Sequence, residues 1–466
     1  MSAANPLEAR LLETVAALSG QVYLVGGAVR DALLGQPSKD ADYLVTGVPL
    51  EELREGLQIW ARVDLVGSSF GVLKLTFDSE TVDVALPRTE QSTGLHHRDF
   101  QISADPNLSL ETDLMRRDFT INAMARQLSD GALIDPFGGH RDLERRVLRA
   151  VGDANERFLE DPLRMLRLAR FIAKLEFTSD PATARAAADH AALVGSVAPE
   201  RIQTELMGLL GSRSSSAILE SLRFLRDTGL LEVIMPEFAV CIGFNQQNPH
   251  HDLKLDEHIF QAVYHAATRE TSSLTRLALL LHDIGKPDRQ SFSADGIAHY
   301  YHHEQRGADL ARSILERLKF SNDDTDTVVT LVANHMRPPR DASGRTLRRF
   351  KRDLNDLWPD ALEVRLADRL AHVADASDPY LEHQKDFALL EELPAQLEGF
   401  TQARLAVSGE ELMQVFKLTA GREIGELKRR AVEAVIEGEI ENERDAILEY
   451  LLESRTSSLE LRDEQP

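Results

Sequence analysis

The sequence predicts an α/β domain over residues 1–148, followed by an all-α remainder. Strand-like runs such as VYLV, DYLV, VLKLTF and TVDVAL alternate with helical patterns in the first part. From RFLEDPLRMLRLARF onward, apolar residues recur at helical spacing instead. We predict four domains, in line with about 100–200 residues per domain. They are an α/β head at 1–148, a helical neck and body at 149–245, a histidine-rich helical domain at 246–378 and a helical tail at 379–466.

The composition is that of an ordinary soluble protein, with 43% hydrophobic and 28% charged residues. No run approaches the roughly 20 consecutive apolar residues of a membrane span, so we expect no membrane partner. The first 21 residues predict an amphipathic helix rather than a secretory signal. The single cysteine, Cys241, excludes an internal disulfide and a cysteine-ligated zinc site. We therefore expect a cytoplasmic protein, and the sequence leaves the oligomeric state open.

Charge is unevenly distributed along the chain. The formal net charge of −23 disfavours a generic nucleic-acid binder, because binding phosphates requires a basic surface. Residues 140–174, however, hold nine lysines and arginines against six acids, whereas residues 437–466 hold ten acids against three bases. A local basic groove on an acidic protein is therefore compatible with the sequence.

The stretch YLVGGAVRDALLGQPSKDADYLV predicts a site for a metal and a triphosphate. Asp40 and Asp42 share one face of a strand, roughly 6.5–7 Å apart, and paired carboxylates are typical ligands of Mg²⁺. Gly26 and Gly27 stand where a strand turns into a helix, where free amide groups can bind phosphate. Arg30 follows one helical turn later. The alternative is a surface strand with alternating acids and a glycine turn.

The segment RRDFTINAMA offers a second candidate contact with the nucleotide. The adjacent Arg116 and Arg117 beside a short apolar element can bind phosphate or ribose. Alone, such a pair is more often solvated or salt-bridged. Asp118 and Asn122 can equally be turn or capping residues.

The segment LEDPLRMLRLARF predicts a helix with a basic stripe. Pro162 suits the first turn of a helix, and Arg164, Arg167 and Arg170 follow at intervals of three. The alternative to a functional role is an amphipathic helix with a solvated basic face. A carboxylate only accepts hydrogen bonds and a guanidinium only donates them. An Asp161/Arg164 pair therefore matches the amino group and ring nitrogen shared by cytosine and adenine, and rejects uracil and guanine.

These motifs, in this order, resemble the class II tRNA nucleotidyltransferases, the CCA-adding enzymes. The matching segments are GGAVRD with DAD, RRDFTINA, DPFGG and EDPLR, within residues 23–171; APERIQTELMGLL and DTGLLEVIMPEF also look like the family's neck and body. The resemblance implies a polymerase-β-like head and addition of C, C and A to tRNA from CTP and ATP, with the protein as template. It implies Asp40 and Asp42 as Mg²⁺ ligands and nucleotide contacts from Gly27, Arg30, Arg117, Asp161, Arg164, Arg167 and Arg170.

Three features bear on the alternatives within this class. Asp83 in TVDVAL is a candidate third carboxylate, although the motif alone does not establish it. The loop between Arg88 and Arg116 lacks the arginine-rich signature of many relatives, in which it helps to switch specificity from C to A, so a CC-only or A-only enzyme is an alternative. A poly(A) polymerase is a second alternative. Such enzymes tend to carry paired basic residues where this chain has Ser68 and Ser69, which favours addition to tRNA ends.

The histidine-rich domain resembles the HD-domain phosphohydrolases. The candidate metal ligands, in order, are His258, His282, Asp283, His303, His335 and Asp368. Imidazole and carboxylate ligands suit Ni, Mn, Fe, Co or Mg. The alternative for each lone histidine is a structural role, and His250 and His251 are either near this site or plain loop residues. A phosphodiesterase or phosphatase activity that trims damaged tRNA ends is what the resemblance implies.

Two further hypotheses belong to other classes. One makes the HD site the main activity, acting on RNA ends, with the head as a tRNA anchor. The other is a non-catalytic RNA-binding protein, which is disfavoured because the metal and base-recognising positions are filled. The helical tail either helps to dock tRNA or is purely structural.

Overall fold

The computed structural model describes residues 5–36, 41–66, 71–92, 100–248, 252–337, 344–372, 378–392, 405–419 and 421–463. Of the residues singled out above, Asp40, Ser68, Ser69, His250 and His251 lie outside these ranges. The chain forms two compact units, Met1–Ala239 with Arg317–Phe320, and Val240–Glu316 with Ser321–Pro466. Within the described ranges, no helix combines the length and apolar character needed to cross a membrane. The division into four domains stays a prediction.

The N-terminal part of the first unit is built on a mixed sheet. Its strands are β1 Gln21–Val25, β2 Asp42–Thr46, β3 Arg62–Val66, β4 Val72–Phe77, β5 Glu80–Ala85, β6 Arg88–Ser92, β7 Phe100–Ala104, β8 Ala125–Gln127 and β9 Leu133–Ile134. Seven of them form one sheet in the order β3-β4-β5-β2-β1-β8-β9, while β6 and β7 pair with each other. Only β2 and β5 pair in parallel within the seven-stranded sheet of the described residues.

Short helices accompany this sheet. They are α1 Pro6–Ala17, α2 Gly27–Leu33, α3 Leu50–Gln58, α4 Leu110–Met115 and α5 Gly139–Glu144, with a 3₁₀ turn at Thr120–Asn122. Leu11 of α1 and Leu53 of α3 are buried in one cluster with Val45 of β2, whereas Leu44 of the same strand joins a second cluster with Tyr23. Successive residues of a strand point to opposite faces, so both faces of the central strands are covered and their polar ends are held in fixed positions.

Helices fill the rest of the first unit. Its elements are β10 Val147–Leu148, α6 Ala154–Glu160, α7 Leu163–Leu175, β11 Thr178–Ser179, α8 Pro181–Asp189, α9 Pro199–Leu210, α10 Ser215–Asp227 and α11 Leu230–Ile234, with 3₁₀ turns at Ala191–Ser196 and Pro236–Cys241. Helix α7 packs against both α9 and α10. One side of α7 carries buried residues such as Leu168 and Ile172, and the arginine stripe lies on another side.

The second unit is almost entirely helical. Its elements are α12 Leu255–Thr268, α13 Ser273–Leu281, α14 Lys286–Arg289, β12 Ser291–Phe292, β13 Ala298–His299, α15 His303–Arg317, α16 Asn322–Asn334, α17 Gly344–Leu354, α18 Trp358–Leu370, α19 Pro379–Glu392, α20 Gly409–Phe416, α21 Arg422–Glu437 and α22 Arg444–Asp463, with a 3₁₀ turn at Asn355–Leu357. Leu412, Ala431 and Ile447 join α20, α21 and α22 in a separate apolar cluster.

The predicted α/β head and helical remainder are confirmed, with two small departures. The strand β11, which pairs with β10 at the end of the predicted head, and the pair β12–β13 lie in the part predicted to be all helical. Each of these strands has two residues, too few to show an alternating pattern in the sequence. His299, at the end of β13, lines the same cavity as residues of the histidine cluster described below.

Candidate active site and metal centre

A cavity of about 490 Å³ in the first unit gathers the residues predicted to bind the nucleotide. Its predicted lining residues are Gly27, Arg30, Asp42, Arg117, Asp161, Arg164, Arg167 and Arg170. Further lining residues are Arg88, Arg116, Asp118, Asn122, Phe171, Lys174 and Arg201. The lining is dominated by guanidinium groups, which suits a polyanionic ligand such as a nucleoside triphosphate.

The glycine pair sets the geometry at one end of this cavity. Gly26 has φ of +74°, a left-handed conformation that favours glycine. A Cβ atom there would lie 2.5 Å from Nη1 of Arg117, so the absence of a side chain lets this guanidinium approach. Arg30 is buried and donates to Oδ1 of Asn122 over 2.6 Å. Together with the hydrogen bond from the backbone N–H of Gly26 to the carbonyl of Met124, this contact joins two motifs that are far apart in the sequence.

Asp42 and Asp83 are direct register partners on the parallel strands β2 and β5. Neighbouring strands lie about 4.8 Å apart, and directly opposed residues point to the same face. Asp42 is exposed and Asp83 is partly buried. Two carboxylates arranged in this way fit a hard divalent cation such as Mg²⁺. The predicted partner of Asp42, Asp40, lies outside the described residues.

Asp118 is the buried centre of the RRDFTINA segment. Its Oδ1 accepts hydrogen bonds from the backbone N–H of Phe119 and from Nδ2 of Asn122. Its Oδ2 accepts from Nη2 of Arg167 over 2.6 Å. Burial alone would raise the pKa of Asp118, but the positive charge of Arg167 and these hydrogen bonds lower the pKa below its usual value. Asp118 is not a helix cap, because the N-cap of the following 3₁₀ turn is Phe119; it holds its own turn together and orients a cavity arginine.

Three guanidinium groups surround the ring of Phe171. The guanidinium carbon atoms of Arg30, Arg167 and Arg170 lie 5.5, 5.6 and 4.9 Å from the ring centroid. Such distances permit cation–π attraction, which is worth about 0.5–1 kcal/mol at exposed sites. Arg170 also donates from Nε to Glu205 over 2.5 Å. The aromatic ring therefore provides a common support for the arginine stripe.

Asp161 and Arg164 do not pair with each other through their side chains. Oδ2 of Asp161 accepts from Nη2 of Arg201 over 3.0 Å. Nη1 of Arg164 donates to Glu160 over 3.0 Å, and its Nη2 donates to the carbonyl of Arg116 over 2.7 Å. In this structure, each member of the predicted base-recognising pair therefore has a different partner.

Sequence reasoning missed several cavity residues. Arg201 and Lys174 lie outside the segments used to predict the nucleotide site, although each is a cation on a predicted helix. Phe171, an apolar residue of the helix predicted to carry the basic stripe, also lines the cavity. An aromatic residue one position after the last arginine of the stripe was the available signal.

The second unit brings all six predicted HD residues together. Two groups have ligand atoms that all lie within 4.8 Å of one another. They are His258, His282, Asp283 and Asp368, and Asp283, His303 and His335. Asp283 belongs to both groups, so the two sets of potential metal ligands adjoin at its carboxylate.

All four histidines of this cluster are oriented in the same way. In each, Nδ1 donates to a backbone carbonyl, which can only accept, so Nε2 is directed into the cluster. The Nδ1–O distances are 3.3 Å from His258 to Ala371, 2.7 Å from His282 to Leu279, 2.7 Å from His303 to Tyr300 and 2.7 Å from His335 to Val332. Nε2 of His282 is buried and has no hydrogen-bond partner among the described residues. A converging set of imidazole nitrogens and carboxylates fits a divalent transition metal.

The pKa values of two histidines in this cluster are shifted in opposite directions. Burial alone would lower the pKa of His282, but the negative charges of Asp283 and Asp368 raise the pKa to about 10. Burial, with the positive charges of His282 and His303, lowers the pKa of His335 to about 3. A divalent cation bound by the same nitrogen atoms would displace any proton that they carry.

A second cavity of about 490 Å³ opens onto this cluster. Besides Asp283, His303, His335 and Asp368, it is lined by Asn248, Lys286, His299, Tyr300, Tyr301, Met336, Arg365, Arg369 and His372. Lys286 lies 2.6 Å from Oδ2 of Asp283, and Arg365 donates to Asp386 over 2.7 Å. The cavity thus combines candidate metal ligands with cationic side chains, a combination suited to a phosphate ester.

Three family models match separate segments of the chain. Residues 22–149 match the poly A polymerase head domain. Residues 176–242 match a model described as a probable RNA and SrmB-binding site of polymerase A. Residues 298–451 match a model described as a putative tRNA nucleotidyltransferase domain 2.

Similar proteins cover most of the chain. It is 40% identical over 328 residues to the multifunctional CCA protein of Xanthomonas campestris pv. campestris strain B100, covering 68% of this chain and 75% of the relative. Identity to the protein of the same name from Azoarcus sp. strain BH72 is 41% over 321 residues, covering 68% and 73%.

Two solved structures are similar over nearly the whole length. The Bacillus stearothermophilus CCA-adding enzyme in complex with CTP has 27% identity and a TM-score of 0.71, covering 98% of this chain and 99% of that one. The Thermotoga maritima CCA-adding enzyme complexed with tRNA has 19% identity and a TM-score of 0.59, covering 97% of each chain, which bears on the fold alone.

Proposed function

The chain belongs to the CCA-adding tRNA nucleotidyltransferase family, and on this premise we propose that it adds C, C and A to the 3′ ends of tRNA from CTP and ATP. This membership confirms the family expected from the sequence motifs. The observation that carries the proposal is the arginine-lined cavity, which gathers the described residues of three separate motifs. We propose the cytoplasm as its location, because the substrate is tRNA.

The reaction is a phosphoryl transfer. The 3′ hydroxyl of tRNA attacks the α-phosphorus of CTP or ATP and loses its proton. The bond between the α-phosphorus and the oxygen that joins it to the β-phosphate breaks, and pyrophosphate leaves. Mg²⁺ held by Asp42, Asp83 and Asp40 would stabilise the attacking and leaving oxygens. Asp83 is included because it is the register partner of Asp42.

The arginines bind and orient the nucleotide. Arg30 and Arg117 lie beside Gly26 and Gly27, where they are placed to contact the triphosphate. The stripe of Arg164, Arg167 and Arg170 lies along the same cavity. Guanidinium groups form charge-assisted hydrogen bonds with phosphate, about twice as strong as neutral ones. Their number therefore suits the several negative charges of an NTP.

Base selection is proposed for the Asp161/Arg164 pair. The carboxylate accepts from the amino group, and the guanidinium donates to the ring nitrogen. To act on the base, Arg164 has to give up at least one of its present contacts, which are to Glu160 and to the backbone carbonyls of Arg116 and Arg157. The arrangement of Asp161 and Arg164 that recognises the base would therefore form only when a nucleotide binds.

The test uses purified protein, Mg²⁺ and each NTP with tRNAs that end at the discriminator base, after C, and after CC. Products are sized at single-nucleotide resolution beside Asp42→Asn and the control Asp64→Asn, which changes an exposed carboxylate on β3. We expect C, C and A to be added in turn, with loss of addition in Asp42→Asn alone.

Other product patterns contradict this proposal in defined ways. Termination at CC, or a single A added only to CC ends, indicates a CC-only or A-only enzyme. Long A tails on many RNAs indicate a poly(A) polymerase. No addition by the unmodified protein overturns the proposed nucleotidyltransferase function.

A second activity is proposed for the HD cluster: hydrolysis of phosphate esters at RNA ends. The observation in favour is the common orientation of four histidines toward two buried carboxylates. A bound Ni, Mn, Fe, Co or Mg ion would supply Lewis-acid activation of the ester. Lys286, beside Asp283, is placed to bind the phosphate.

This second activity is tested with RNA ends that carry a 2′,3′-cyclic phosphate or a terminal monophosphate. Phosphate or ring-opened product is measured after loading the protein with each metal in turn. His282→Ala should abolish hydrolysis and leave nucleotide addition intact, whereas Asp42→Asn should do the reverse. If hydrolysis is unchanged in His282→Ala, the HD cluster is not its site. Activity that survives in Asp42→Asn and is lost in His282→Ala would select the HD-only alternative, whereas loss of nucleotide addition in Asp42→Asn overturns it.

A further inference from the structure

We propose that Arg201 is a positioning residue that determines nucleotide specificity by holding Asp161 in its base-accepting orientation. This inference rests on the proposed role of Asp161 in selecting C and A. Arg201 belongs to α9, whereas Asp161 lies at the junction between α6 and α7, 40 residues earlier. Their contact therefore depends on the packing of α9 against α7.

Two contacts fix the carboxylate of Asp161. Oδ1 accepts the backbone N–H of Leu163 over 3.1 Å, and Oδ2 accepts Nη2 of Arg201 over 3.0 Å. Because the contacts are to different oxygens, they constrain rotation of the carboxylate about its terminal torsion. That torsion is otherwise broad and weakly restrained. A carboxylate has about four acceptor positions, so about two are left for an amino group of the base.

The backbone at Asp161 does not provide this constraint by itself. Asp161 ends α6 in an extended conformation, with φ of −138° and ψ of 99°, and Pro162 follows. Its side chain is about one-fifth exposed, so surrounding atoms leave it room to turn. The cross-helix hydrogen bond from Arg201 thus supplies the second fixed point.

Arg201 also keeps the recognition pair from neutralising itself. Asp161 and Arg164 are three residues apart at the start of α7, within reach of each other. A direct ion pair between them would occupy the acceptor and donor that the base needs. Arg201 on one side and Glu160 on the other hold the two groups apart in the present structure.

The specificity of addition should therefore depend on Arg201 more than the chemical step does. In Arg201→Ala, we expect the ratio of kcat/KM for CTP over UTP, and for ATP over GTP, to fall about tenfold, corresponding to loss of part of one hydrogen-bonded discrimination. The KM for CTP should rise, with kcat at saturating CTP largely retained. Arg201→Lys should partly restore the ratio, because a single ammonium donor can still reach the carboxylate.

The experiment measures single-nucleotide addition to tRNAs ending at the discriminator base and after CC. Arg226→Ala is the matched control, since Arg226 lies on α10, pairs with Asp227 and does not line the cavity. Thermal unfolding of each variant reports its folding. If Arg201→Ala does not fold, the same ratios of kcat/KM are measured with Arg201→Gln.

Three outcomes are distinguishable. A lower specificity ratio in Arg201→Ala, with partial rescue by lysine, supports the inference. An equal rise in KM for all four nucleotides, with unchanged ratios, overturns it and makes Arg201 a phosphate or RNA ligand. No addition by the unmodified protein would instead overturn the proposed function, and the Arg201 ratio would then have no bearing on it.

Discussion

Asp118 and Arg167 form an ion pair that links the RRDFTINA segment to α7. Oδ2 of Asp118 accepts from both Nε and Nη2 of Arg167, at 2.9 and 2.6 Å. Asp118 is 8% exposed, whereas the side chain of Arg167 is one-third exposed and faces the cavity. The pair therefore combines a structural link with the placement of a cavity side chain for which we propose nucleotide binding.

Replacing Asp118 with asparagine should lower both stability and activity. We expect the free energy of unfolding to fall by about 2 kcal/mol at pH 7, less than for a fully buried pair because Arg167 is partly solvated. The pKa of Asp118 is lowered on folding, so its contribution is complete above about pH 4 and is lost as the pH falls further. Urea unfolding of both proteins at several pH values checks this.

The control for this prediction is Asp227→Asn, which removes an exposed carboxylate paired with Arg226. Surface pairs contribute little, so its unfolding free energy should change by less than about 0.5 kcal/mol. Equal stability of Asp118→Asn and the unmodified protein at pH 7 would refute the structural role.

Asp83 should be required for nucleotide addition. As the register partner of Asp42, it is placed to share the cation, and losing that interaction should lower kcat by about 10³-fold, equivalent to several kcal/mol. Single-turnover addition of CTP by Asp83→Asn, across a Mg²⁺ titration, measures the effect. A kcat within threefold of the unmodified protein would show that Asp83 is only structural. Asp64→Asn is again the carboxylate control.

The HD cluster should bind a divalent transition metal independently of the head. After chelation and reloading with Ni or Mn, metal content is measured by elemental mass spectrometry. His282→Ala should weaken metal binding by at least about tenfold. Replacing even a residue that only hydrogen-bonds to a metal ligand typically lowers metal affinity about 10–100-fold. His265→Ala is the control, since His265 lies on α12, like His258, but outside the cluster. Equal metal content in all three proteins would contradict the assignment.

Glu363 should make the second unit sensitive to acid. Burial would raise its pKa, but hydrogen bonds from Arg269 and His383 lower the pKa to about 2. Its stabilising effect is therefore present above about pH 4.5 and is lost as the pH falls toward 2. Glu363→Gln should be about 1 kcal/mol less stable at pH 7, after allowance for solvent screening.

The test of this prediction follows unfolding of Glu363→Gln and the unmodified protein by circular dichroism between pH 7 and pH 3. The stability difference should shrink at the acidic end, because the Glu363 carboxyl of the unfolded chain takes up a proton below its ordinary pKa of 4.5 while the folded chain keeps it charged. A difference that is constant with pH would show that the substitution acts through packing rather than charge. Glu453→Gln, at an exposed position, should show no difference.

The buried strands of the head were predictable, and its polar strands were not. β1, β2, β4 and β5 contain the apolar runs identified from the sequence. In contrast, β3 is exposed along most of its length at the edge of the sheet, and β6 has the polar sequence RTEQS. Such strands are formed by pairing with a neighbour, so their own residues carry little hydrophobic pattern.

Candidate residues were predictable from local motifs, but their partners were not. Asp161 and Arg164 are close in sequence, and the sequence analysis therefore paired them with each other. In the structure, Asp161 contacts Arg201, because α9 packs beside α7. Contacts between distant segments depend on tertiary packing, which a single sequence does not encode in any local spacing.

The position of three arginines around the ring of Phe171 also bears on the stability of the protein. The guanidinium carbons of Arg30, Arg167 and Arg170 lie within 5.6 Å of the ring centroid. Each of these arginines is paired with a carboxylate, so the folded chain holds the three cations together without a bound anion. A nucleotide that binds only the folded chain adds about 2.7 kcal/mol at 100 times its Kd. The melting temperature of this protein should therefore rise with CTP, ATP or pyrophosphate. The concentration of these ligands thus also sets the stability of the folded protein.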